Sequence, residues 1–267
     1  MRELPILMST DMVRANLLRL KTETRRTRGL EVVNDKPDVW KSVGNSEDIF
    51  HFDHINKKKR LTVDFKSPYG KPGDLLYVRE SWERNLKFPE ESWIPEYRHK
   101  CGYPEPSEFV NLNWRPSIQM PKDAARIWLH VEEIKVERLQ GITGSSAIAE
   151  GIEPSGNNNG FKNYLKVGPP VLPAFWSFNS LWCSINGSES WNLNPWVWVV
   201  KYRILSTTGR PIRACRVCGC TEDNCIQCIK KTGMPCYWVE YDLCSACTQS
   251  KKRPARQSLS MLLNPKQ

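Results

Sequence analysis

The chain has 267 residues and a formal net charge of +10. That length permits one sizeable core plus a small appendage. The apolar run Trp196 to Val200 falls far short of the roughly 20 residues a membrane helix needs, and the run in Met1 to Ser9 is too short for a secretory leader, so a cytoplasmic protein is expected. Charge is unevenly spread: residues 1–206 carry 29 Lys+Arg against 25 Asp+Glu, and residues 207–267 carry 10 against 4. A basic surplus suits a polyanionic partner such as RNA or DNA. Metal binding would shrink it, because eight thiolates on two divalent ions bring the tail to about +2.

In chain order, Leu4 to Met8 reads as a short buried strand. Thr10 is placed to cap a helix, with Asp11 in its first turn. Val13, Leu17 and Leu20 recur on one face of that helix. Residues 34–59 are polar and end in Lys57, Lys58, Lys59 and Arg60, which predicts an inserted loop. Leu61, Val63 and Phe65 alternate as a strand does. Lys71 to Asp74 is a turn feeding a strand from Leu75 to Ser81. Another strand region runs from Arg126 to Val136. Ser145 to Gly151 reads as a short helix stopped by glycine. Residues 153–173 are rich in Asn, Gly and Pro and predict a second loop insertion. Phe175, Phe178, Leu181, Trp182 and Ile185 make one face of a helix. Trp196 to Ile204 alternates over a final strand, with Trp196, Trp198, Val200 and Tyr202 on one side. Strands outnumber helices and βαβ units are few. The expected class is α+β: a mixed β-barrel with flanking helices over 1–206, a cysteine-rich module over 207–250 and a basic tail over 251–267.

Eight of the ten cysteines lie between Cys215 and Cys247. Cys215-x2-Cys218 is answered by Cys244-x2-Cys247, the spacing of a closed tetrahedral zinc site. Nested within are Cys220, Cys225, Cys228 and Cys236. Cys218 and Cys220 stand two residues apart, so their Cα atoms lie within about 7 Å. Two sites there are close neighbours or one bridged binuclear cluster. Two zinc ions are the expected complement. Cys220-x4-Cys225-x2-Cys228 also matches a ferredoxin run, which leaves an iron–sulfur cluster as an alternative. Such a module is structural or docks a protein partner. Cys101 and Cys183 read as isolated apolar residues.

The helix followed by Lys21-x-x-Thr24-x-Arg26, then Gly73-Asp74-x-x-x-Val78-Arg79-Glu80, resembles the ASCH domain of the PUA-like superfamily. Further pieces resemble its phage and prophage branch: Trp114-Arg115-Pro116-Ser117-x-x-Met120-Pro121 with Arg126, Leu139-Gln140-x-Ile142 with Ala149-Glu150-Gly151-Ile152, and Asn194-Pro195-Trp196-Val197-Trp198. The likeness covers roughly 3–206. One departure is Arg19, where the family motif has glycine. The resemblance implies a PUA-like barrel that binds RNA or a modified nucleobase, in the host cytoplasm if the chain is phage-encoded. It also implies a rival function, hydrolysis of the amide of N4-acylated cytidine. In that reading Thr24 attacks, a neutral Lys21 takes its proton and Glu150 passes a proton to the leaving amine. A phage interaction or assembly protein is a third reading.

Each residue set has a plainer reading. Lys21 and Thr24 fit a solvated lysine and a capping hydroxyl. Arg79 and Glu80 are adjacent on a strand, so one of them faces inward. Arg25, Arg26, Arg28 and Lys57 to Arg60 suit phosphate contacts, or simply solvated loops. Trp114 and Trp191 are candidates to stack on a base, whereas Trp196 and Trp198 read as core. His130-x-Glu132 with Cys225-x-x-Cys228 lacks the proline of the zinc deaminase pattern and spans two expected domains. The His51-x-x-His54 pair is a weak metal signal.

Overall fold

The structure is a computed structural model and describes residues 1–46, 48–84, 93–94, 115–155, 160–165, 168–222 and 224–248, with backbone only at 83–84 and 93–94. Trp114, Cys101 and the 251–267 tail lie outside the described residues. The chain divides into two compact units, Met1–Pro211 and Ile212–Gln267.

In the first unit β1 (Glu3–Leu7) leads into α1 (Thr10–Leu17). Ser9, not Thr10, holds the N-cap position, and its side chain makes no capping bond. The helix buries Met12, Val13, Ala15 and Asn16. It stops in a left-handed turn: Arg19 sits at φ 56° and Leu20 N–H donates to the Ala15 carbonyl. Glycine normally fills such a position because it has no Cβ to clash. Arg19 adopts that left-handed conformation itself, so the helix stops before Lys21 without a glycine.

β2 (Glu23–Arg26) and α2 (Glu31–Asn34) follow. Residues 34–59 are not the loop their polarity predicts. β3 (Trp40–Ser46), β4 (Ile49–His54) and β5 (Thr62–Lys66) form an antiparallel three-stranded sheet. Its inner face carries Phe50 and Phe52, which meet Trp198 and Trp196 edge-on at ring separations of 4.8 and 5.0 Å. The polar residues His51 and Asp53 alternate with them on the other face, as a strand requires.

β6 (Leu75–Arg79), the short pair β7 (Glu83–Arg84) and β8 (Trp93–Ile94), and the long β9 (Trp128–Arg138) come next. α3 (Gly144–Ala149) is capped by Thr143, whose hydroxyl accepts from Ser146 N–H. The expected loop at 153–173 contains a small hairpin, β10 (Phe161–Lys162) with β11 (Val171–Leu172). α4 (Ala174–Asn186) buries Phe178, Leu181 and Trp182, while Ile185 is exposed. After α5 (Ser188–Asn192), β12 (Trp196–Ser206) completes the unit. Val197, Trp198, Val199 and Val200 are all buried, so β12 is covered on both faces, and a bulge at Lys201/Tyr202 breaks its alternation.

The main sheet has the order β1-β6-β9-β12-β2. β1 runs parallel to β6 and the remaining pairs are antiparallel. The class is α+β. No ladder joins β1 to β2 among the described residues, so the expected closed barrel is not found. The two edges still approach: Arg26 on β2 donates to the Leu7 carbonyl at the end of β1, 2.8 Å away.

The second unit is α6 (Ile226–Thr232), β13 (Trp238–Glu240), β14 (Leu243–Cys244) and α7 (Ser245–Thr248). Its core is made of cysteines with Leu243, and Trp238 packs against them. Among the described residues no helix is long and apolar enough to cross a membrane.

Candidate functional site

A cavity of about 490 Å³ opens where β1 and β2, the two edges of the main sheet, face α4. Thr24, Arg25, Arg26 and Arg28 reach it from β2 and the residues after it, Arg79 from β6 and Glu150 from the end of α3. Tyr69, Phe178 and Trp182 add aromatic surface. Four arginines and three aromatics around one opening suit a planar, electron-rich ligand carrying negative charge.

Beneath the cavity lies a buried ion-pair network. Lys21 is fully buried, and its Nζ donates to Glu150 Oε2 at 2.6 Å and to the Glu150 carbonyl at 2.7 Å. Arg25 donates to the other Glu150 oxygen at 3.1 Å, to Glu23 at 3.3 Å and twice to Glu137, at 2.6 and 3.0 Å. Burial lowers the Lys21 pKa; Glu150 opposes that shift, and Arg26 and Arg25 add to it. The contact depends on Gly151. Its φ is 82°, and a Cβ there would stand 2.7 Å from the Cβ atoms of Ala15 and Lys21. Glycine is therefore what lets the end of α3 close on α1 and on Lys21.

The structure thus brings Lys21 and Glu150 into contact and sets Thr24 and Glu150 on the cavity wall. Lys21 itself is not on the wall. Glu80 is the inward partner of the Arg79–Glu80 pair: it is buried and takes two bonds of 2.9 Å from Arg126. Burial raises its pKa, and Arg126 pulls the other way. Arg79 reaches the cavity and donates to the Met120 carbonyl at 2.8 Å. Arg26 has a buried Nε with no partner among the described residues. A buried donor left unmade costs free energy.

Other candidates fall elsewhere. Lys57, Lys58, Lys59 and Arg60 are exposed at the β4–β5 connection and do not line the cavity. Trp191 is buried against Phe175 and Phe178, so its expected role in stacking on a base is corrected to core packing. His54 packs edge-on against Trp40. His51 bridges Ser46 and Asp64 with two contacts of 2.7 Å, the connectivity of a serine-hydrolase triad. All three lie on the three-stranded sheet, away from the cavity wall, with Ser46 and Asp64 exposed. Sequence reasoning missed Tyr69 and Phe178 as cavity residues. No spacing rule marks residues that converge from distant segments.

In the second unit the cysteine sulfurs converge. Cys215, Cys218, Cys220 and Cys244 form one group able to hold a metal ion, and Cys220, Cys228, Cys236 and Cys244 form another. Cys225 Sγ lies 3.0 Å from Cys236 Sγ and accepts from Cys236 N–H. Cys247 is buried in the same core. An all-thiolate set of this kind suits zinc.

No family model matches this chain, and neither a curated protein nor a solved structure does.

Proposed function

We propose that the first unit is an ASCH-type, PUA-like reader that takes one base of an RNA, or a modified nucleobase, into the cavity between β1, β2 and α4. The observation that carries this reading is the arginine-lined wall with the unpartnered buried Nε of Arg26. A phosphate or base carbonyl meets the guanidinium groups on that wall, while Tyr69, Phe178 and Trp182 offer apolar surface to the ring. Arg25 is spent on Glu23, Glu137 and Glu150, so its role is to hold the wall. The cysteine module carries two zinc ions as a structural element and is free to dock a protein partner. A reducing cytoplasm suits so many thiols.

The test is fluorescence anisotropy with single-stranded RNA and DNA oligomers. Wild type should bind, with affinity falling as salt rises. Arg26→Ala and Arg79→Ala should each weaken binding about tenfold, the loss of one good contact to a charged group. Undetectable binding at low salt, or unchanged affinity in both variants, overturns the reader.

The contact of Lys21 with Glu150, next to Thr24 on the wall, favours a second reading: an amidohydrolase on N4-acylated cytidine. Thr24 Oγ would attack the acyl carbon as Lys21 takes its proton, the amine would leave with that proton passed on by Glu150, and water would then hydrolyse the acyl-threonine ester. Lys21 fits the base less well, because Glu150 engages it and it does not line the cavity. Mass spectrometry of acylated nucleosides incubated with the protein decides: loss of the acyl mass in wild type and none in Lys21→Arg supports the enzyme, and intact nucleosides refute it.

A further inference from the structure

We propose that the cysteine module holds its two metal ions as one thiolate-bridged cluster, with Cys220 and Cys244 shared between them. This rests on the zinc reading above and goes beyond it. The alternative is two separate sites, one on the outer Cys-x2-Cys pairs and one on the four inner cysteines.

The sulfur positions argue against that partition. The two metal-competent groups overlap in Cys220 and Cys244. Cys228 belongs to the inner set by sequence, yet it lies 3.5 Å from Cys218 and 3.7 Å from Cys244, both of the outer set. Cys218 and Cys244 are 3.6 Å apart. Those three sulfurs make a closed triangle. That triangle joins the two groups, since Cys218 belongs to the first, Cys228 to the second and Cys244 to both. Cys220 closes toward the other group, 3.4 Å from Cys236. Ligands of one ion are therefore interleaved with ligands of the other.

Charge points the same way. Eight thiolates around two divalent ions leave about −4, whereas six leave about −2. Cys215, Cys220, Cys228 and Cys244 are buried, and buried charge without compensation is costly. Sharing two sulfurs lets six cysteines satisfy both ions. Cys225 and Cys247 then flank the six ligands, Cys225 taking the Cys236 N–H and Cys247 lying against Cys215, Cys218 and Cys244.

Native mass spectrometry of the full chain tests the arrangement. Wild type should carry two zinc ions. Cys225→Ser and Cys247→Ser should each retain both, and Cys244→Ser should lose both together. Loss of a single ion in Cys225→Ser and in Cys247→Ser would establish separate sites and overturn the proposal. Should Cys244→Ser fail to fold, the cadmium-loaded wild type still decides. Its ¹¹³Cd spectrum should contain two resonances split by coupling through a shared sulfur, and two uncoupled resonances refute the bridge. A metal-free wild type defeats the zinc reading itself, an outcome separate from either.

Discussion

Neutralising Glu150 is the most informative perturbation of the cavity floor. At 2.6 Å from Lys21 Nζ, its carboxylate contributes a gross attraction of about 6 kcal/mol at an effective dielectric near 20. Desolvation of both groups cancels much of that, so the pair need not be a large net stabiliser. Breaking it is different, because one partner is left charged and buried. Glu150→Gln and Lys21→Met should each cost about 3–5 kcal/mol. The double variant removes both charges and should cost well under the sum, which gives a coupling of at least about 2 kcal/mol. Urea unfolding followed by tryptophan fluorescence measures this in the first unit, since Trp238 is the only tryptophan beyond Pro211. Additivity within about 0.5 kcal/mol would refute the claim that Lys21 and Glu150 act as one buried pair.

Burial depresses the Lys21 pKa below its ordinary 10.5, so between the folded and unfolded values the unfolded chain binds more protons. Wild-type stability should therefore rise relative to Lys21→Met as pH climbs through that window toward 10.5, and urea melts at stepped pH should record a positive slope. Arg19→Gly should raise the unfolding free energy by about 1 kcal/mol, because the left-handed conformation strains any residue with a Cβ; a loss of stability in the same melts would contradict the helix stop described. Replacing Lys57 to Arg60 with alanine should lower the salt dependence of RNA binding without altering base preference, since those residues are exposed and off the cavity wall; a changed base preference in competition anisotropy would move them into the site.

Much of the main sheet was legible because its strands carry their own pattern. Leu75 to Arg79 follows a clear turn, and Trp196 to Ser206 is long and strongly apolar. The Lys21–Glu150 contact was not legible, for nothing in local spacing joins residues 129 positions apart; the resemblance only named both for a role in chemistry. The sheet at 40–66 was missed in its first two strands because Lys, Asn, His and Asp dominate the composition of that stretch. The pattern was still there: Phe50 and Phe52 alternate with His51 and Asp53, and only the phenylalanines meet the core. Trp191 was misjudged because its neighbours Ser188 to Asn192 read as a polar loop, whereas they form α5, which turns that one aromatic inward. The cysteine ligands were recognisable by spacing, but their grouping was not: Cys228 crosses from the inner set to the outer one only through the packing of α6 against α7 and β14.

The reach of Arg26 across to Leu7 has a consequence for self-association. Among the described residues β1 and β2 each pair on one side only, so both present backbone groups that another strand could recruit. Those two open edges face each other across the cavity, where a side chain spans the gap and α4 stands over it. The place where the protein admits a ligand is thus also the place where its sheet is least sealed, and an occupant of the right shape would shield the same backbone from other chains.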